Sequence, residues 1–130
     1  MGLTFKKIAI VGSREFKNYK QLKDTATQFV CPDYWIISGG ALGADSFAQR
    51  FAKEIGNPII IFYPRWYNMV NDKQIYDAGA GFKRNEKIAE EADVVLAFYQ
   101  KGRYQEGGTK NTIFWAKKLS KEYYEYEEEV

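Results

Sequence analysis

The sequence predicts an α/β domain, with a parallel sheet covered by helices on both faces. Three observations predict it. Four short apolar runs, at residues 8–11, 35–37, 59–62 and 94–98, are continuous rather than alternating and rich in β-branched residues. Strands buried on both faces read this way. The longer segments between them carry apolar residues at helical spacing, and glycines cluster just after three of the four runs. Strand and helix in alternation imply right-handed βαβ units. The chain has 130 residues, the size of one domain. It is therefore read as a single domain over 1–130.

The elements follow in order. Residues 19–30 form a weak helix after the first run. Residues 44–55 form the clearest one, because Ala44, Phe47, Ala48, Phe51, Ala52 and Ile55 make one stripe opposite Gln49, Arg50, Lys53 and Glu54. Gly56-Asn57-Pro58 stops it. Residues 63–83 have no clean period, and a loop of that length is expected to form a lid or substrate wall, or a connection with a short helix of its own. Residues 84–92 form a third helix, with Ile88, Ala89 and Ala92 inward, and residues 110–120 a fourth. The acidic end, 121–130, is either an edge strand or a tail.

Composition excludes several chemistries. Without histidine there is no Ser-His-Asp or Cys-His catalysis, and one cysteine, Cys31, allows neither a disulfide framework nor a multi-cysteine metal site. Cys31, beside Pro32, reads as structural. No metal is expected. No apolar run approaches the ~20 residues a membrane helix needs, so the reading is a cytoplasmic domain without membrane contact. Net charge is +2 overall. Residues 1–120 hold 18 bases and 12 acids, a net of +6 that mildly favours anionic partners.

In a parallel α/β sheet, ligands bind past the carboxyl ends of the strands. After the first run comes Gly12-Ser13-Arg14, after the second Ser38-Gly39-Gly40-Ala41-Leu42-Gly43-Ala44-Asp45, and after the fourth Glu106-Gly107-Gly108-Thr109. Glycines let backbone N–H groups approach a phosphate, and the helix N-terminus behind them adds unpaired donors and partial positive charge. Ser13, Ser38 and Thr109 add a hydroxyl, or cap a helix. Asp45 is either a favourable first-turn carboxylate or an acceptor for a ribose hydroxyl. Arg84-Asn85 offers a guanidinium suited to phosphate. Neither Gly-x-Gly-x-x-Gly nor a Walker loop is present. Trp66 and Tyr67, in the irregular segment, are candidates to stack on a base.

These motifs, in order with Tyr63-Pro64-x-Trp66, Ala80-Gly81-x-x-Arg84-Asn85 and Ala92-Asp93-Val94-Val95-Leu96-Ala97-Phe98, resemble the SLOG superfamily over residues 8 to about 118. The resemblance is closest to its cpYpsA-related, YspA-type branch; DprA and the LOG phosphoribohydrolases are relatives. It implies a Rossmann-like sheet of order 3-2-1-4-5, a nucleotide site formed by the glycine loops, and a homodimer or higher homo-oligomer.

The function expected first is a sensor or binding module for a mononucleotide or an NAD- or ADP-ribose-like ligand, with no cofactor required. The alternative is a LOG-like N-glycosidase on nucleoside 5′-monophosphates. Thr112 stands where the LOG pattern has its glutamate, so Asp45, Arg84 and Glu106 are the catalytic candidates. The second alternative is DprA-like binding of single-stranded DNA, ranked last because no dense basic run supports it.

Overall fold

A computed structural model describes residues 6–130. Its five-stranded parallel sheet is built from β1 (Lys7–Gly12), β2 (Trp35–Ser38), β3 (Ile59–Ile61), β6 (Val94–Tyr99) and β7 (Glu122–Glu127), in the order β3-β2-β1-β6-β7. Counting only these strands, that is the expected 3-2-1-4-5. A separate antiparallel hairpin, β4 (Tyr67–Val70) and β5 (Lys73–Tyr76), lies between β3 and α3.

Alternation along the strands splits the core in two. Ile8, Ile10, Leu96 and Phe98 face one side, where α1 (Tyr19–Thr27) and α2 (Ala44–Ile55) cover them with Leu22, Ala26, Ala48 and Phe51. Ala9, Val11, Val95 and Ala97 face the other, under Ile88 of α3 (Ala80–Glu91) and Ile113 and Ala116 of α4 (Gly108–Lys118). Every residue of β6 is buried, which is why it reads as an unbroken apolar run. None of the described helices is long and apolar enough to cross a membrane.

Several local expectations need correction. Ile55, the last residue of the α2 stripe, is 39% exposed. Cys31 is exposed and free, so it carries no packing role. The acidic end forms the edge strand β7 rather than a tail, and Glu128 beyond it accepts hydrogen bonds from the N–H groups of Lys17 and Asn18 ahead of α1. The irregular segment contains the hairpin rather than a short helix of its own, and its last four residues belong to α3. Its turn, Asn71-Asp72, has φ of 51° and 64°. Two positive values at the centre of a two-residue loop are what the right-handed twist of a hairpin requires.

Helix α3 starts four residues before its predicted position. Asp77 Oδ1 accepts from the Gly79 N–H at 2.9 Å and its carbonyl from the Ala80 N–H, which closes a turn that feeds the helix. Gly81 then sits under Trp66, whose ring would lie 3.4 Å from an added Cβ. The glycines that read as loop residues are therefore helix-start residues with a packing role.

Candidate functional site

The strand order reverses between β1 and β6, since the chain steps one way to β2 and β3 and the other way to β7. A cavity of about 400 Å³ opens there, past the carboxyl ends of both strands. Four chain segments supply its walls. The β1 turn contributes Gly12, Ser13 and Arg14, and α2 contributes Asp45. Arg84 and Asn85 come from α3, while Glu106, Gly107, Gly108 and Thr109 come from the start of α4.

Ser13 ties this corner together. Its N–H donates to the Phe98 carbonyl at 2.9 Å, its Oγ accepts from the Gln100 N–H at 3.0 Å, and its carbonyl accepts from the Ala44 N–H that opens α2. Its hydroxyl is thus already engaged with the residue that follows β6. Asn85 does similar work across the cavity, donating to the Gly108 carbonyl and to Asn111 Oδ1, each at 3.2 Å. That clamps the first turn of α4 against α3. No side chain caps α4, so its first N–H groups remain for an anion, and a Cβ at Gly107 or Gly108 would meet nothing within 4 Å.

Ser38, Gly39, Gly40 and Gly43 do not line the cavity. They lie beneath it and hold its parts. Ser38 Oγ donates to the Asp45 carbonyl at 2.9 Å and accepts from the Gly40 N–H at 3.2 Å. The Gly39 carbonyl accepts from Arg84 Nη1, and an added Cβ on Gly39 would stand 2.8 Å from both Arg84 Nη1 and Asp45 Oδ2. Glycine here lets the guanidinium and the carboxylate converge. Arg84 Nε is held by Asn85 Oδ1 at 2.9 Å.

Asp45 is only 5% exposed, and its Oδ1 has no hydrogen-bond partner. Its Oδ2 accepts from the Ala41 N–H at 3.3 Å. Burial pushes its pKa up to about 6, although the Arg84 guanidinium, the Ala41 and Gly12 N–H groups and Arg14 all pull it down. A buried acceptor with a free oxygen at a cavity wall suits a ligand hydroxyl or amine. Arg84 is half-buried, and its pKa is lowered chiefly by that burial, with Asp45 opposing.

Sequence reasoning passed over three polar residues of this wall, Glu15, Gln100 and Arg103. Arg103 is exposed and lies 3.6 Å from Glu106. It could have been found as the one arginine in the glycine-bounded loop after β6. Trp66 and Tyr67 are not in the cavity; Tyr67 opens the hairpin, and the ring of Trp66, just before it, stacks on Tyr76.

The model of the family described as DNA recombination-mediator protein A matches residues 2–79, which include the Gly12–Arg14 turn and the Ser38–Asp45 loop. The chain belongs to the DNA recombination-mediator protein A family. Among solved structures, DNA processing protein A from Streptococcus pneumoniae is similar over 92% of this chain and 58% of its own, at 17% identity and a TM-score of 0.57. The Helicobacter pylori protein, described for its single-stranded DNA binding mode, is similar over 92% and 64%, at 22% identity and a TM-score of 0.59. The chain thus spans under two thirds of these family members. At such identities the likeness establishes the shared fold. No curated protein gives a significant sequence match.

Proposed function

We propose that this domain binds single-stranded nucleic acid, with a backbone phosphate held at the α4 N-terminus between Arg14 and Arg84. The observation that carries the reading is that the family match covers the Gly12–Arg14 turn, Ala41 and Asp45 of the cavity wall, which also includes the uncapped start of α4. The similarity to a Helicobacter protein described for single-stranded DNA binding supports it further. It reverses the order of preference drawn from sequence. Three arginines and three carboxylates line the cavity, so the grip is local rather than a broad basic field. One of those carboxylates, Asp45, is close to neutral at mildly acidic pH.

A second reading, a mononucleotide or an NAD- or ADP-ribose-like ligand, is favoured by Asp45, a cavity-wall carboxylate whose buried Oδ1 has no partner and could take a ribose hydroxyl. The cavity volume lies within the range of small-ligand sites. A carboxylate titrating near 6 also suits proton transfer, which supports the LOG-like N-glycosidase reading. Fluorescence anisotropy with a labelled oligo-dT, competed by AMP, NAD and ADP-ribose, separates these readings. Nucleic-acid binding predicts an affinity that falls as salt rises, with a log–log slope reduced by about 0.7 for each phosphate-contacting arginine removed. Thermal stabilisation by one small nucleotide with no oligonucleotide binding would transfer the site to the second reading. Release of free base from AMP would make it an enzyme.

A further inference from the structure

The hairpin is the part of the chain its own fold uses least. Tyr67 and Tyr76 pair directly across the two strands and are each 57% exposed, and Met69 on the same face is 68% exposed. Val70 and Ile75 are exposed on the opposite face. A two-stranded ribbon is marginal alone in water, and this one is anchored by Trp66, which stacks on Tyr76 and rests over Gly81. So concentrated an apolar surface marks a binding surface.

Charge decides the occupant. A cleft of about 250 Å³ at the foot of the hairpin is lined by Arg65, Lys83, Arg84 and Lys87 and by one carboxylate, Asp77, which pairs with Lys83 at 2.7 Å, while Lys87 reaches Glu91 at 3.5 Å. Arg84 lines both this cleft and the larger cavity, so it stands between the two. The matching ligand is a polyanion that also carries flat apolar rings. A second copy related by a two-fold axis would set these cations against themselves.

We propose that the hairpin is a base-stacking platform for a single strand of nucleic acid that leaves the cavity past Arg84. Its phosphates cross the cleft by Arg65, Lys83 and Lys87, and its bases stack on Tyr67 and Tyr76. The inference rests on the nucleic-acid reading of the cavity and extends its footprint. Stacking on an aromatic ring is tolerant of sequence, because every base has a π-face.

The test compares dT oligomers of about four and about twelve nucleotides on the wild type and on Tyr67→Ala, Tyr76→Ala, Tyr67→Phe and Lys87→Ala, with thermal unfolding of each variant alongside. The longer strand is expected to bind the wild type more tightly. Each alanine in place of tyrosine weakens the longer strand roughly tenfold and leaves the shorter one unchanged. Tyr67→Phe keeps the affinity. Lys87→Ala, which lies off the hairpin, lowers the salt slope for the longer strand by about 0.7. If the wild type binds both strands and neither alanine variant weakens the longer one, the platform is overturned while the cavity reading stands. If no oligonucleotide binds, the cavity reading falls and the platform with it. A dimer that dissociates in Tyr67→Ala, with oligonucleotide affinity unchanged, assigns the hairpin to a second copy and overturns the proposal.

Discussion

Two glycine-bearing corners meet at the same edge of the sheet and use their glycines for opposite purposes. At the β1 and β2 turns the chain leaves no room. A Cβ on Gly12 would sit 2.2 Å from the Phe98 carbonyl oxygen and 2.5 Å from Ala44 Cβ. One on Gly43, already at φ +69°, would sit 2.3 Å from the Arg14 carbonyl oxygen. At the β6–α4 turn, a Cβ on Gly107 or Gly108 would meet nothing within 4 Å, although the φ of +79° at Gly107 itself calls for glycine. The first corner is glycine because the protein fills the space. The second keeps space that the protein does not fill. A glycine after a β-strand is therefore weak evidence for a ligand until its surroundings are known.

The largest effect breaks the packed corner. Gly12→Ala forces a methyl into a backbone carbonyl and a neighbouring Cβ, which costs about 3 kcal/mol. The midpoint of thermal unfolding falls by about 10 °C or more. Gly108→Ala is the contrast. Its site is open and helical, so stability changes by under about 1 kcal/mol and in the favourable direction, while oligonucleotide affinity falls as the methyl enters the cavity. Equal melting temperatures for the two variants would erase the distinction between the corners.

Asp45 stands where the packed corner meets the cavity, and its effect is next in size. Its folded pKa of about 6 lies above its ordinary value of 3.8. Between those values the folded state keeps a proton that the unfolded chain has lost. Its contribution to stability is therefore fully present below about pH 4 and is lost as pH rises through about 6. Asp45→Asn removes that slope and stabilises the domain at pH 7 by up to about 3 kcal/mol. Denaturant titrations between pH 4 and 8 measure it, and a wild-type profile flat across that window would refute the assignment. Oligonucleotide binding should strengthen on acidification over the same window, since a neutral Asp45 no longer repels phosphate.

These contrasts also explain what the sequence could and could not disclose. The central strands are legible because burial on both faces forces unbroken apolar runs, as in β6. The edge strand β7 is ambiguous because glutamates interrupt its tyrosines, of which Tyr126 is half-buried against one half of the core and Tyr123 against the other. The hairpin is hidden for two reasons. Its turn is Asn-Asp rather than Asn-Gly, and its apolar side chains are exposed, so no amphipathic period marks it. The cavity's glycines, Arg14 and Arg84 could be read from spacing. The burial of Asp45 could not, because a first-turn carboxylate is ordinarily solvated and only the convergence of β2, α2 and α3 encloses this one.

Arg84→Ala sharpens the comparison at an intermediate level. The guanidinium bridges the packed Gly39 carbonyl and the open cavity, so its loss touches both corners. Oligonucleotide affinity should fall roughly tenfold, with the salt slope reduced by about 0.7. The titration of Asp45 should also move upward, because its chief stabilising charge is gone. An affinity loss with no change in the pH profile would mean that the two groups are not coupled.

The smallest effect belongs to the open corner. Glu106 is exposed and faces Arg103 at 3.6 Å. Exposed pairs of this kind contribute about 0–1 kcal/mol, so Glu106→Gln should leave the unfolding midpoint nearly unchanged. Removing its charge frees Arg103 and lowers the repulsion felt by a phosphate at the α4 N-terminus, so oligonucleotide affinity should rise about twofold to threefold, an effect that fades as salt is raised. The sign is what matters. A rise means that Glu106 only tempers the charge of the cavity rim. A fall would mean that the carboxylate accepts a hydrogen bond from the ligand, a contact no phosphate can supply, and would move the argument toward the nucleotide and N-glycosidase readings.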